Sequence, residues 1–297
     1  MPTLISLFFL IALAVAAPHA ASAQGPFGAV GGEGEPNRMQ QWLVPTPLAD
    51  VQSHAVLFRP PGEGPFQLAV IAHATTQNAL RRAQMPQPEY RALATFLVAR
   101  GFAVLVPERP GHGSTGGKYL EDQGGCDEAD YARAGRATAD EIATAMNFMR
   151  RQSFIRPNGA IVVGHSAGGW GALALAGQTD VSAIILFAAG RGGRANDVPN
   201  QICAPHMLKA AAAEFGKGAT VQVTWFAAAN DSYFAPAFSK QLADAFRSAG
   251  GKVDFVALPA HGDEGHWLPE AESGVKLAAP ELERALNAVR ARAAVKR

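Results

Sequence analysis

The chain has 297 residues, of which 48% are hydrophobic and 17% charged, and its formal net charge is +1. That is enough apolar sequence to bury a large core, at a length just above the usual single-domain range. The balanced charge, with no run of like charges, argues against a nucleic-acid-binding protein with a basic face and against a charged tail.

The first segment stands apart from the rest. Leu4 to Ala17 is almost wholly apolar and uncharged, and Ala21-Ser22-Ala23 follows it. A short apolar stretch before Ala-x-Ala reads as a secretory signal peptide over residues 1–23, although no Lys or Arg precedes it. The alternative, an uncleaved membrane anchor, is disfavoured because a span needs about 20 apolar residues. The expected mature protein starts at Gln24, is exported to the periplasm or secreted, and has no stable membrane association. Residues 24–37 are rich in Gly and read as a flexible N-terminus, with a single domain over 38–297.

Short apolar runs then alternate with helical stretches. The predicted strands are Ala55–Phe58, Leu68–Ala72, Phe102–Val106, Ala160–Val163, Ala183–Phe187, Val221–Phe226 and Val253–Leu258. Several are apolar on both faces, as in a parallel sheet covered by helices on both sides. The predicted helices are Pro88–Arg100, Thr138–Arg151, Gly169–Gly177, Ala235–Ala249 and Pro280–Ala293. In the second of these, Ile142, Ala145, Met146 and Met149 fall at i, i+3, i+4, i+7, one helical face. Alternating strands and helices imply an open α/β sheet. Lys118 to Ala134 reads as the longest irregular segment. Cys126 and Cys203 both lie in loop-like sequence, and in an exported protein such a pair is expected to form a disulfide.

Gly164-His165-Ser166-Ala167-Gly168 lies between a predicted strand and a predicted helix. This is the G-x-S-x-G pattern in its strand–turn–helix context, which presents a serine hydroxyl on a tight turn. Glycines at the second position on either side leave room for that turn. Ser166 is therefore the candidate nucleophile. A serine needs a base, and the base an orienting acid, expected in the order Ser, Asp or Glu, His. His266, in the loop after the last predicted strand, is the candidate base, with His261 on the same loop as its rival. Asp231, just past the strand ending at Phe226, is the candidate acid, 65 residues after Ser166 and 35 before His266. Asp197 is the alternative acid, while Asp263 and Glu264 read as solvated loop charges.

An oxyanion hole needs two N–H donors. Ala167, after the nucleophile, is one. The other is expected in the loop His73-Ala74-Thr75-Thr76, where Thr75 is preferred, then Ala74, and His73 reads as a structural residue. Arg191 and Arg194 read as solvated loop arginines, with a substrate carboxylate as their alternative role. No metal-binding pattern is present.

Together these residues resemble the α/β-hydrolase superfamily. Pro107-Glu108-Arg109-Pro110-Gly111-His112-Gly113, Gly164-His165-Ser166-Ala167-Gly168-Gly169, Asn230-Asp231 and Gly265-His266-Trp267 are most similar to the dienelactone hydrolase-related group. The resemblance implies an eight-stranded, mostly parallel sheet with helices on both faces. It also implies cofactor-free hydrolysis of an ester or similar acyl bond in a small-molecule substrate. Dienelactone hydrolases proper carry a cysteine nucleophile where this chain has serine, so the group name does not specify the substrate. A peptidase, an acyltransferase or a non-catalytic binding module on the same fold are the alternatives.

Overall fold

The computed structural model describes residues 26–178 and 180–295. The expected signal peptide lies outside the described residues. Among the described residues a single sheet has nine strands: β1 (Gly28–Gly34), β2 (Met39–Pro45), β3 (Gln52–Phe58), β4 (Gln67–Ala72), β5 (Phe102–Pro107), β6 (Ala160–His165), β7 (Val181–Phe187), β8 (Gln222–Ala228) and β9 (Lys252–Leu258). Their spatial order is β1-β2-β3-β5-β4-β6-β7-β8-β9. The first three strands are antiparallel, and β3 meets β5 antiparallel. From β5 to β9 every pairing is parallel.

All seven predicted strands are present. The sheet exceeds the expected eight strands because Gly28–Gly34, read as part of a flexible N-terminus, pairs with β2 as an edge strand. Its glycines offer no side-chain alternation to read, and the ladder to β2 supplies its order. In β2 the apolar pattern is sparse, with Trp42 and Val44 as its buried residues.

The helices are α1 (Ala79–Ala83), α2 (Arg91–Val98), α3 (Tyr131–Met149), α4 (Ala167–Ala174), α5 (Pro205–Gly216), α6 (Pro236–Ser248) and α7 (Glu272–Val295). None of those described is long and apolar enough to cross a membrane. Strand side chains alternate between the two faces. Val70, Val162, Ile184 and Val223 face one core layer with Ile142, Met146, Trp170, Phe215 and Phe246. Ile71, Val163, Ile185 and Phe226 face the other, with Leu93, Leu97, Leu282 and Leu286. Helix α3 begins within the segment read as irregular, because the Asp130 side chain caps it by accepting from Arg133 N–H at 2.9 Å. Pro280, read as the start of the last helix, lies inside α7.

The strand order positions the site. β4 has β5, which follows it in the chain, on one side and β6 on the other. The loops leaving β4 and β6 therefore diverge and open a crevice at the carboxyl ends of the strands.

Candidate active site

Ser166 sits between β6 and α4 with φ 53° and ψ −119°, a left-handed conformation that an L-residue adopts only under constraint. Its N–H donates to Phe187 O at 2.9 Å, and its carbonyl accepts from Trp170 N–H at 2.9 Å. The turn closes only because its neighbours lack side chains. A Cβ on Gly164 would collide with the backbone of Gly169, and one on Gly168 would collide with the carbonyl oxygens of Ala72 and His73. The second collision shows that the start of α4 is pressed against the loop after β4. No side chain caps the N-terminus of α4, so its first amides have no side-chain partner there, and Ser166 and Ala167 line an adjoining cavity.

His266 lies in a short 3₁₀ turn, Gly265–Glu270, after β9. Its Nδ1 is 3.2 and 3.3 Å from the two carboxylate oxygens of Asp231, in the loop after β8. Nδ1 therefore donates, which leaves the Nε2 lone pair free. Asp231 Oδ1 also accepts from the N–H groups of Tyr233 and Phe234, at 2.8 and 3.0 Å. The His266 ring stacks on Tyr233, with centroids 4.0 Å apart. Burial lowers its pKa below 6.5, offset in part by the Asp231 carboxylate. A neutral imidazole suited to accept a proton results.

The two alternatives are elsewhere. His261 Nε2 is 2.9 Å from Ser273 Oγ, and Asp197 is exposed and pairs with Arg194 at 3.4 Å. Glu264, read as a solvated charge, instead joins the two loops. Its carboxylate accepts from the His266 and Ser232 N–H groups, each at 3.0 Å, and from the Ser232 hydroxyl.

In the loop after β4, Ala74 N–H donates to Tyr90 Oη at 3.2 Å, which removes Ala74 as an oxyanion donor. Thr75 lines the same cavity as Ser166, Ala167 and His266. His73 Nε2 accepts from Arg109 N–H at 3.0 Å, and Nδ1 donates to Ala74 O at 2.6 Å. Burial and the adjacent Arg109 hold its pKa well below 6.5, so the ring stays neutral. His112 Nδ1 donates to the carbonyls of Arg109 and Pro110, and its Nε2 accepts from the Thr75 hydroxyl. Burial brings its pKa down to about 4.

Beneath the crevice is a buried ionic cluster that the sequence does not reveal, because its members come from four separate segments. Glu121 pairs with both Arg109 and Arg191. Burial alone would raise the Glu121 pKa; the two arginines hold it well below 4.5. Glu141, 3.4 Å from Arg109, is driven the other way: burial and Glu121 push its pKa well above 4.5. Arg191 was read as solvated, or as a substrate carboxylate ligand. Its guanidinium is instead buried and donates to Tyr119, Thr138 and Glu121. Arg194 keeps partial exposure and donates to Ser232 Oγ at 2.8 Å.

Cys126 and Cys203 form a disulfide with Cα atoms 5.0 Å apart. Both line the cavity above Ser166, whose volume is about 780 Å³. A second cavity of about 480 Å³ adjoins it and shares Thr75, Thr76, Arg81 and Trp267.

Three solved structures share the fold. A dienelactone hydrolase from Klebsiella pneumoniae matches with a TM-score of 0.54 and 13% identity, over 84% of this chain and 98% of that one. An esterase from Pyrococcus furiosus matches at 0.55 and 11%, over 86% and 92%. A dipeptidyl peptidase 4 from Porphyromonas gingivalis matches at 0.59 and 14%, over 85% of this chain and 36% of that one. No curated protein matches the chain significantly. The model of the alpha/beta hydrolase family matches residues 69–294, which takes in the elbow, both flanking loops and the last helix. The chain belongs to the alpha/beta hydrolase family.

Proposed function

We propose that the protein is a serine hydrolase that cleaves a carboxylic ester or similar acyl bond in a small-molecule substrate. One observation carries this reading. The imidazole of His266, fixed by Asp231 through Nδ1, lines the same cavity as Ser166 on its strained turn.

In this reading His266 Nε2 takes the proton of Ser166 as Oγ attacks the acyl carbonyl. Asp231 holds the ring and stabilises the imidazolium. The N–H groups of Ala167 and Thr75 stabilise the tetrahedral oxyanion. His266 then passes its proton to the leaving alcohol. Water, activated by the same ring, releases the acyl group and regenerates Ser166. The wall around Ser166 carries Asn78, Asp122, Arg194 and Asp197, which favours a compact or polar substrate over a long alkyl chain. Export from the cytosol is part of the proposal and accounts for the disulfide.

The test is hydrolysis of p-nitrophenyl acetate and butyrate, with fluorophosphonate labelling, for the protein and for Ser166→Ala. Activity and labelling in the first and neither in the second is the expected result. Neither in either protein would favour a binding module on this fold.

A further inference from the structure

His165, immediately before Ser166, is buried and has no part in the proton transfers above. Its two ring nitrogens nevertheless reach both flanking loops. Nε2 lies 2.8 Å from the carbonyl oxygen of His266. A carbonyl only accepts, so Nε2 carries a hydrogen. Nδ1 lies 2.8 Å from Tyr90 Oη. In the neutral ring Nδ1 then accepts from the tyrosine hydroxyl, whose oxygen in turn accepts from Ala74 N–H at 3.2 Å. Glu270 Oε1, 3.3 Å from Nδ1, stands as the partner for a second ring proton. One series of bonds thus runs from the loop after β4, through Tyr90 and His165, to the backbone of the His266 loop.

Two further features of Tyr90 agree with such a role. It has left-handed backbone, φ 49° and ψ 41°, which a bulky residue keeps only where the surroundings enforce it. Burial also pushes its pKa well above 10, which favours the protonated hydroxyl.

We propose that Tyr90 and His165 are positioning residues that hold the oxyanion loop and the His266 loop in register with Ser166. The proposal rests on the catalytic reading of Ser166, His266 and the Thr75 amide. Without the tyrosine oxygen, Ala74 N–H loses its partner in a buried place, His165 Nδ1 is left with Glu270 alone, and the link through Tyr90 between the two loops is broken. The geometry lost is the one that meets the transition state, so turnover falls while substrate binding is retained.

The experiment compares wild type, Tyr90→Phe, His165→Gln and the double variant on p-nitrophenyl acetate. Inhibition by phenylboronic acid is measured alongside, since its tetrahedral serine adduct places an oxygen in the oxyanion site. Tyr90→Phe is expected to lower kcat roughly 10- to 100-fold with KM within about twofold, and to weaken boronate inhibition by a similar factor. The double variant is expected to lose no more than the worse single variant, because both residues act through one series of bonds. Should Tyr90→Phe not fold by circular dichroism, His165→Gln alone carries the kcat, KM and boronate comparison. Unchanged kcat and boronate affinity, or losses that multiply in the double variant, would overturn the proposal. An inactive, unlabelled wild type would instead overturn the catalytic reading on which it rests.

Discussion

His73 donates from Nδ1 to the carbonyl of Ala74 at 2.6 Å, and the N–H on the far side of that same planar peptide belongs to Thr75. The direction of the Thr75 amide is therefore set by an imidazole that does not itself line the Ser166 cavity. Burial and Arg109 hold its pKa well below 6.5, which favours the neutral ring that makes this bond.

Replacing His73 with Ala frees that peptide to rotate. We expect kcat to fall by up to the loss of one oxyanion donor, roughly 10²-fold, with KM little changed. His73→Asn, which retains a short N–H donor, should recover part of the loss. Steady-state kinetics on p-nitrophenyl acetate checks both; equal kcat in all three proteins would exclude Thr75 as the second donor.

The lowered pKa of His266 makes a statement about pH. In the proposed mechanism His266 accepts a proton in its neutral form, so kcat/KM should rise with pH through a midpoint below 6.5 and be flat above it. Asp231 raises that pKa against the effect of burial. Asp231→Asn should therefore move the acid limb further down while cutting kcat by about 10³–10⁴-fold. A pH–rate profile from 4 to 8 for both proteins is the check. An acid limb at or above 6.5 in the wild type would contradict the burial of the ring.

The disulfide spans a sequence separation of 77 residues. Loop-closure entropy for that length corresponds to about 4.5 kcal/mol, within the usual range of about 2–5 kcal/mol for native bridges. Cys126→Ser with Cys203→Ser should lower the thermal midpoint by several degrees. Because both residues line the cavity, KM should rise more than kcat falls. Differential scanning calorimetry and kinetics on the double variant test this.

The parallel strands were legible because each is a short run apolar on both faces, as in Ala160–Val163 and Ala183–Phe187. The elbow was legible because its glycines stand at fixed spacing around Ser166, where a side chain would collide with Gly169 or with the loop after β4. By contrast β1, with four glycines in seven residues, has no pattern of its own and exists through its partner. Helix α5 has a weak apolar face and was not predicted; Leu208, Ala211, Ala212, Phe215 and Gly216 are its buried residues. The cysteine pair could be anticipated from its loop setting. Tyr90, Glu121 and Glu264 could not, because each also bonds a residue far along the chain, His165, Arg191 and Ser232 respectively, and a buried charge is indistinguishable in sequence from a solvated one.

Glu264 gives the region around Asp231 and His266 a mechanical character. One carboxylate grips the amide of His266 and both the amide and the hydroxyl of Ser232, the residue after Asp231. The loops carrying Asp231 and His266 are thereby bound into one plate, and a change in the length of either would strain the bonds to the other. Adaptation to a new substrate is then confined to the walls that lie off the plate: the stretch carrying Cys126, the stretch carrying Cys203, and the rim at Asn78 and Arg81. Changes there can reshape the cavity while the spacing between Asp231 and His266 stays as it is.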